Sequence, residues 1–360
     1  MSEWKEITLG EVLEIKYGKD HKKLEEGSIP CLGSGGIMRY VDRSIFDKVS
    51  ILIPRKGTLN NIMYQDQPFW TVDTMFWSII NEEKVNPKFL YYQLTLIDYT
   101  NLNVGSAVPS LTVPVINEID ILLPPLPEQR AIASVLSSLD DKIDLLHRQN
   151  ATLEKMAETL FRQWFVEEES ELIPLGECIK TTSGGTPSRK RMDFYEGGNY
   201  QWVKSKELNG GYILDTEERI TVEALKRSSA KLLPENSVLI AMYGATVGQF
   251  AIIGQEATCN QAICACLPND EFPYTFIYHT IKANVDELKS RAVGSAQQNI
   301  SQVLIKSLEI SVNENIEKFH AEVDPMMKKI KSNYTQIRTL TALRDTLLPK
   351  LMSGEVRVKS

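Results

Sequence analysis

The sequence predicts an α+β protein with two β-rich domains in a pseudo-two-fold repeat, separated by two long helices that form an antiparallel coiled coil. Three observations lead to this fold class: an internal repeat, a long heptad seam at the end of each half, and one asparagine in each seam. The chain of 360 residues is long enough for two domains that each bury a core.

The two halves of the chain match each other at an offset near 187 residues. Residues 51–53 fall on residues 238–240, and in both places the pattern predicts a buried strand followed by a glycine turn. Phe89 falls on Phe276, in segments that follow a proline and predict a short buried helix. Each half otherwise alternates apolar and polar residues between Gly, Pro and Asn, as β-rich structure does.

Each half ends in a heptad seam, from Ile132 to Trp164 and from Phe319 to Leu351. An unbroken seam of this length predicts two helices that pair with each other, not two surface helices on a globular core. The core of the predicted seam comprises Leu136, Leu139, Ile143, Leu146, Asn150, Leu153, Leu160, Val323, Met326, Ile330, Asn333, Ile337, Leu340 and Leu347.

The two seam asparagines set the predicted direction of pairing. A parallel arrangement buries Asn150 and Asn333 against aliphatic residues, whereas an antiparallel arrangement with aligned ends brings them together. A lone buried amide costs about 1–3 kcal/mol, so the antiparallel arrangement is favoured. Arg344 then faces Leu139, and its head is expected to reach water. At about 1.5 Å per residue the first seam spans roughly 50 Å.

These patterns divide the chain into four parts. The predicted parts are a first β-rich domain over 1–125, a first long helix over 126–171, a second β-rich domain over 172–312, and a second long helix with a C-terminal tail over 313–360.

Composition excludes several classes of protein. The net charge of −7 is concentrated in 126–171, where five Lys and Arg stand against ten Asp and Glu, so the remainder is close to neutral. Five cysteines without a C-x-x-C pair predict reduced, buried thiols. The sequence has neither an apolar run of about 18 residues nor a secretory signal pattern, which predicts a cytoplasmic protein without a membrane partner.

The sequence also lacks the motifs of the enzymes that modify or translocate DNA. There is no N/D-P-P-Y/F motif of an amino-methyltransferase, no phosphate-binding G-x-x-x-x-G-K-[ST] loop and no metal-ligand spacing among the four histidines and five cysteines. We therefore predict no catalytic residue, no metal site and no cofactor in this chain.

Small, flexible and basic residues in loops remain as candidates for DNA contacts, because such loops bring amides and cations to phosphates and base edges. In the second half the candidates are Ser183, Gly184, Gly185, Thr186, Arg189, Lys190, Arg191, Lys204, Lys206, Gln297, Gln298 and Asn299, with both lysines 204 and 206 expected on one face of a strand over 200–206. In the first half they are Lys19, Lys22, Lys23, Arg55 and Lys56. The alternative for each of these residues is an ordinary solvated surface loop.

Three segments give the chain a resemblance to the specificity subunits of type I restriction-modification systems: LPPLPEQRAIASVLSSLDDKID at 123–144, SGGTPSR at 183–189 followed by WVKSKEL, and LLPKLMSGEVRV at 347–358. The resemblance implies that the β-rich domains are target-recognition domains that bind double-stranded DNA. It also implies a complex with two DNA adenine methyltransferase subunits, which dock on the helices, and with restriction subunits. S-adenosylmethionine, ATP and magnesium would then belong to those partners. The second half departs from PPLPEQ, reading VNENIE at 312–317, so docking need not be equivalent at both ends.

The preferred function is therefore a non-catalytic subunit that binds a bipartite DNA target and directs adenine methylation and restriction by its partners. Two alternatives remain open: a specificity module of a methyltransferase-only or fused restriction system, and a coiled-coil scaffold whose β-rich halves bind protein.

Overall fold

The structure is a computed structural model that describes residues 4–105, 108–168, 170–292 and 299–358. The chain divides into two compact units. Unit 1 comprises Met1–Lys142 and Leu340–Ser360, and unit 2 comprises Ile143–Thr339. The boundaries lie within the two long helices, so each unit contains one β-rich part and a portion of both helices.

In its described residues unit 1 holds nine strands, two short helices, the beginning of the first long helix and the end of the second. Its elements are β1 (Lys5–Thr8), β2 (Leu13–Tyr17), β3 (Ile29–Gly33), β4 (Gly36–Val41), β5 (Ser50–Pro54), β6 (Met63–Gln65), β7 (Trp70–Thr71), β8 (Met75–Ile80), α1 (Pro87–Thr95), α2 (Val113–Asn117), β9 (Asp120–Leu123) and α3 (Leu126–Phe165). Short 3₁₀ turns cover Leu9–Glu11 and Tyr99–Leu102.

Unit 2 repeats this arrangement. Its elements are β10 (Glu171–Pro174), α4 (Leu175–Cys178), β11 (Lys180–Ser183), β12 (Tyr200–Val203), β13 (Tyr212–Ile213), β14 (Arg219–Ile220), α5 (Val222–Arg227), β15 (Val238–Ala241), β16 (Phe250–Ile253), β17 (Thr258–Cys259), β18 (Ile263–Leu267), α6 (Tyr274–Ser290), α7 (Gln302–Lys306), β19 (Glu309–Val312) and α8 (Ile316–Met352). Short 3₁₀ turns cover Met192–Phe194 and Ser205–Glu207.

Each unit contains one two-stranded sheet, one larger sheet and one three-stranded sheet. In unit 1 these are β1-β9, β2-β8-β5-β6 and β4-β3-β7, in that strand order. In unit 2 they are β10-β19, β11-β18-β15-β16-β13 and β14-β12-β17. The three-stranded sheets share a further feature, since β3 pairs with β7 and β12 pairs with β17 in parallel. The internal repeat predicted from the sequence is thus confirmed at the level of strand topology.

The central strands of the larger sheets are the segments that the repeat aligned. All five residues of β5 and all four of β15 are buried, as expected of continuous apolar runs at the centre of a sheet. The proline-opened helices pack on these sheets. In α1, Pro87 occupies the first turn and the Asn86 side chain accepts a hydrogen bond from Phe89 N at 3.0 Å. The corresponding helix α6 has 17 residues, which is longer than predicted.

Within each unit the two long helices run antiparallel. In unit 2, Asn333 Nδ2 donates to Asn150 Oδ1 at 2.8 Å, while Phe161, later in α3, stacks edge-on to Phe319, earlier in α8. The predicted asparagine contact and helix direction are therefore confirmed. Only one of the two possible amide hydrogen bonds forms, because Asn150 Nδ2 and Asn333 Oδ1 have no partner among the described residues.

The seam residues lie on the inner faces of the long helices. Leu136, Leu146, Asn150, Val323, Ile330 and Asn333 are buried, whereas Leu139, Ile143, Leu153, Leu160, Met326, Ile337, Leu340 and Leu347 are partly buried. Met327, which the heptad pattern places outside the seam, is more deeply buried than Met326. The reason is that α8 has a second neighbour at this level, where Tyr274 of α6 donates to Asp324 at 2.9 Å.

Two details of the predicted helices are wrong. The first long helix ends at Phe165 and not near residue 171. The head of Arg344 does not simply reach water, since its Nη1 donates to Asp140 Oδ1 at 2.8 Å. Asp140 also accepts from the Tyr92 hydroxyl at 2.6 Å, so the arginine joins a polar cluster inside unit 1.

The five cysteines are buried and free, as predicted. Among the helices of the described ranges, none has the length and apolar character required to span a membrane. Within those same ranges, no cluster of His, Cys, Asp and Glu has a geometry that could hold a metal ion.

Candidate nucleic-acid interface

In unit 1 the candidate cations lie in loops that backbone hydrogen bonds hold together. Lys19 N donates to Thr71 O at 2.9 Å, and Arg55 N donates to Thr74 O at 2.8 Å, so the loop after β2 attaches to the end of β7 and the loop after β5 attaches to the turn that follows β7. Leu111 N donates to Arg55 O at 2.9 Å and adds a fourth segment. The sequence-predicted residues of this unit are therefore neighbours at one edge.

The cations of unit 1 differ in exposure and in whether their side chains contact other groups of the unit. Lys19, Lys22, Lys23 and Lys56 are exposed, and none forms an ion pair within the described ranges. Arg55 is half-buried, with its guanidinium 5.3 Å from the centre of the Tyr17 ring and a hydrogen bond from Nη1 to Asp73 O at 3.2 Å. The four lysines can reach an approaching phosphate, whereas Arg55 is held in place.

In unit 2 the SGGTPSR loop is attached at the equivalent position. Gly185 N donates to Cys259 O at 2.8 Å, which repeats the bond from Lys19 to Thr71, and Gly184 N donates to Ile263 O at 3.1 Å. A Cβ at Gly184 would overlap the Cys259 carbonyl oxygen, so only glycine permits this approach. The indole of Trp202 donates to Gly185 O at 3.0 Å. These hydrogen bonds therefore fix the position of the first residues of the loop.

Arg189 is engaged within unit 2. Both terminal nitrogens of its guanidinium contact the Glu218 carboxylate, with Nη2 to Oε1 at 3.2 Å. The guanidinium also lies 4.5 Å from the Tyr195 ring centre and 4.9 Å from the Trp202 ring centre. The hydrogen bond from Arg189, followed by that from Lys204, lowers the pKa of Glu218 to about 2, so the pair stays charged at neutral pH.

The two lysines after β12 are also paired, and the predicted strand over 200–206 is wrong beyond Val203. The chain turns there because Lys204 N donates to the Glu207 side chain at 2.7 Å. Lys204 Nζ contacts Glu217 and Glu218, each at 2.8 Å, and Lys206 Nζ contacts Glu217 at 2.7 Å. Both lysines therefore converge on acidic side chains and do not project freely from one strand face.

The remaining loop candidates separate into paired and unpaired groups. Arg191 Nε donates to Asp193 Oδ1 at 2.8 Å. Ser183 Oγ donates to the Gln302 side chain at 3.1 Å, and the Thr186 hydroxyl donates to Gln261. Lys190 is exposed and makes no ion pair in the described part of the chain. It is the cation of this loop that a phosphate could meet without displacing a carboxylate.

The last candidates follow α6. Asn299 is exposed and forms a bridge with Tyr243, just as Ser110 does with Lys56 in unit 1, so the two segments are structural equivalents. Gln297 and Gln298 lie outside the described residues. Tyr243, through its hydroxyl bond to Gln261 O at 2.7 Å, connects the turn after β15 to the turn before β18.

Sequence reasoning missed the aromatic and acidic residues that organise this edge. Tyr195 and Trp202 support Arg189, and Glu217 and Glu218 neutralise three of the candidate cations. The one available signal was the tryptophan of WVKSKEL. The two glutamates gave no signal, because they are distant in the sequence from the cations that they contact. Glu217 and Glu218 lie 13 and 14 residues from Lys204, and Glu218 lies 29 residues from Arg189.

The LPPLPEQ signature joins the sheet of unit 1 to α3. The buried Gln129 side chain accepts from Asn86 N at 2.8 Å and donates to Pro124 O at 2.8 Å. Glu128 accepts from Arg357 Nη1 through both carboxylate oxygens, at 2.8 and 2.9 Å. This signature has a structural role, which is to fix where the helix begins and to hold the C-terminal tail.

A family model described as the type I restriction modification DNA specificity domain matches residues 1–155 and 167–317. The chain belongs to this family. The specificity subunit of the type I restriction enzyme MjaIX from Methanocaldococcus jannaschii is 29% identical over 345 residues, covering 88% of this chain and 79% of the relative. That of HindI from Haemophilus influenzae is 25% identical over 375 residues, covering 80% and 81%.

A solved structure has the same fold as this chain. The crystal structure of the type I restriction-modification S subunit from M. genitalium aligns with a TM-score of 0.72 at 18% identity, over 98% of this chain and 96% of that one. Family membership makes the chain the DNA sequence-specificity component of a type I restriction-modification system. It is a DNA-recognition subunit without catalytic activity or a cofactor of its own.

Proposed function

We propose that the chain binds a bipartite double-stranded DNA target, with one half-site read by each unit, and directs adenine methylation and restriction by its partner subunits. The target-recognition domains would be 1–125 and 172–312, with the helical segments 126–171 and 313–360 as spacers. One observation carries this proposal: the two units share strand topology and loop attachment, yet present different side chains at the same edge. Different residues on equivalent scaffolds suit two different half-sites.

The difference between the units is clear at equivalent positions. Lys56 in unit 1 corresponds to Tyr243 in unit 2, and Ser110 corresponds to Asn299. Phosphate contacts from lysine position a protein on DNA, whereas Asn can read adenine through two hydrogen bonds. All of the candidate residues that the sequence predicted remain part of the proposed DNA surface. The cations that are ion-paired would either leave their carboxylate partners when DNA binds or stay in place and shape the surface.

The partners proposed for this chain are two DNA adenine methyltransferase subunits and restriction subunits. S-adenosylmethionine, ATP and magnesium would be bound by those partners. The outer face of α3 supports docking of a protein, because Leu145 is 39% exposed and Met156 is 49% exposed there. We place the complex in the cytoplasm, where it meets chromosomal and incoming DNA.

A pair of lysine variants tests DNA contact by unit 2. Lys190→Ala, in a complex with the methyltransferase subunit, should weaken binding to target DNA and reduce the slope of log K against log salt by about 1, since one phosphate contact is lost. Lys306→Ala is the matched control, because this exposed lysine lies on α7 against Gly176 and outside the candidate interface. Equal salt slopes for both variants and the unchanged chain would contradict the assignment of Lys190.

A further inference from the structure

Edge strand β4 of unit 1 exposes three large apolar side chains within four residues. Ile37 is 56% exposed, Met38 is 57% exposed and Tyr40 is 51% exposed. Scattered apolar residues are ordinary on protein surfaces, but a cluster on one edge strand indicates a contact surface. Among the described residues β4 pairs only with the central strand β3, so β4 is an edge strand of the three-stranded sheet and forms a two-stranded ribbon with β3.

The ribbon has a glycine turn and a bulge that orient these side chains. Gly36, at the turn, has a φ of +113°, which a residue with a side chain rarely adopts. Cys31 pairs with Arg39 and Leu32 pairs with Ile37, so Met38 is the extra residue of a bulge. Bulges redirect a side chain relative to a regular strand. A Cβ at Gly33 would lie 2.6 Å from Met38 Sδ, so the absence of a side chain there makes room for the methionine.

Three hydrogen bonds hold the ribbon firmly to unit 1. Asn61 Nδ2 donates to Ser34 O at 2.8 Å at the tip. The Thr71 hydroxyl donates to Leu32 O at 3.0 Å, and Arg39 Nη2 donates to Leu24 O at 3.0 Å. The apolar side chains are thus presented by a fixed element and not by a loose loop.

The ribbon emerges beside the cationic edge of unit 1. A groove of about 680 Å³ separates it from the loop after β2, and its walls include Met38 and Ser34 on one side and His21 and Lys22 on the other. The Arg55–Gly57 turn lies next to the tip, since a Cβ at Gly57 would come within 2.9 Å of Ser34 Oγ. The groove walls also include Asp20 and Asp73, so the phosphates that flank the base edges of a duplex would be met by the exposed Lys22 and by Lys56 of the turn at the tip.

The major groove of B-DNA, about 12 Å wide, admits a two-stranded ribbon, and the apolar feature that it presents is the 5-methyl group of thymine. We propose that the β3–β4 ribbon enters the major groove of the unit 1 half-site and selects T·A pairs by contact of Ile37 and Met38 with thymine methyl groups. This inference rests on the proposed DNA-reading function of the unit. Among the described residues of unit 2 we find no equivalent ribbon, because the segment that connects β12 to β14 covers residues 204–218 and is held by the Lys204–Glu218 ion pair instead of forming a tight turn.

Deoxyuridine substitution tests the inference directly, since uracil differs from thymine only by the methyl group. The assembled complex of the full chain with its methyltransferase subunit is titrated with target DNA in which each thymine of the recognised motif is replaced in turn. We expect affinity to fall by about threefold to fivefold at one or more thymines of a single half-site, as for loss of one buried methyl group.

The variant arm uses Ile37→Ala with Met38→Ala. In this double variant the uracil effect should disappear at those thymines and remain unchanged elsewhere. Ile79→Ala, at an exposed isoleucine on β8 that is 39% accessible, is the matched control and should keep the full uracil effect. If the double variant does not fold, the single variants Ile37→Ala and Met38→Ala take its place and should each reduce the uracil effect at those thymines.

Several outcomes would overturn the ribbon assignment while leaving the proposed function intact. These are sequence-specific binding that tolerates uracil everywhere, a uracil effect that persists in the double variant, or loss of partner subunits from the double variant. Failure of the unaltered complex to bind any sequence specifically would overturn the proposed function together with the inference, so the two failures are distinguishable.

Discussion

Asn150 and Asn333 are the polar exception in the helix seam of unit 2. Their single hydrogen bond leaves one amide nitrogen and one carbonyl oxygen without partners among the described residues. Such a pair contributes little net stability but penalises any register that separates the two amides. We interpret it as a device that sets the register of the two helices.

Leucine substitutions test this interpretation. Asn150→Leu alone should lower the free energy of unfolding by about 1–3 kcal/mol, because Asn333 is then buried without a partner. Adding Asn333→Leu should restore or exceed the original value, since two leucines fill the seam without polar atoms. Urea unfolding of the four chains measures both effects as a double-mutant cycle. A double variant no more stable than Asn150→Leu would contradict the matched-pair account.

His279 makes the stability of unit 2 depend on pH. Burial lowers its pKa to about 4, and the nearby Lys282 adds to this effect, although Nδ1 donates to Thr275 O at 2.7 Å. In the unfolded chain the pKa is about 6.5. Between these values the unfolded state binds the additional proton, so the free energy of unfolding falls as pH falls from about 6.5 to about 4.

Replacing the histidine should flatten this dependence. We expect His279→Gln to remove a loss of up to about 3 kcal/mol between pH 6.5 and pH 4, as unfolding in urea at several pH values would show. His147→Gln, at an exposed position on α3, serves as the control and should retain the slope of the unaltered chain. An undiminished slope in His279→Gln would assign the acid sensitivity to other groups.

Among elements, the C-terminal tail has an unexpected role in unit 1. Arg357 contacts the Glu128 carboxylate, whose side chain is only 10% exposed, and its guanidinium lies 5.2 Å from the Trp4 ring centre. The tail therefore connects the beginning of α3 to the N-terminal segment. Removal of one partner leaves a largely buried charge without compensation.

Arg357→Ala should accordingly lower the stability of unit 1 by about 1–3 kcal/mol. Arg43→Ala provides the comparison, because Arg43 pairs with its neighbour Asp42 on the surface and is 64% exposed. That substitution should change stability by no more than about 0.5 kcal/mol. Thermal unfolding followed through the intrinsic tryptophan fluorescence measures both, and equal effects would refute a structural role for the tail.

The long helices were the elements most accessible to sequence reasoning. Their seam was predicted from the regular spacing of apolar residues along the sequence, which is a local pattern. The antiparallel direction was predicted from Asn150 and Asn333, because burying an unpaired amide has a high free-energy cost. The end of the first helix at Phe165 was missed because the acidic residues that follow it are compatible with a helix. The contact of Arg344 with Asp140 was missed because side chains outside the seam complete it.

At the scale of the whole molecule, the repeat predicted that both halves share a fold but not how the strands pair. Parallel pairing of β3 with β7 joins segments about 40 residues apart, and no local pattern encodes such a contact. The same limit applies to the interface. Glycine and lysine residues in the sequence indicated where the loops of the interface lie. The ion pairs of Arg189 and Lys204 could not be predicted, because folding alone brings the glutamates close to these cations.

The central claim is that one chain reads two separate half-sites, and mapping of methylated adenines tests it most directly. The chain would be expressed with its methyltransferase subunit in a host lacking other adenine methylation, and the genome read by single-molecule sequencing. The account predicts a single two-part motif with an unread gap of constant length. A continuous motif, or no methylation by a complex that assembles and carries an active methyltransferase, would contradict it.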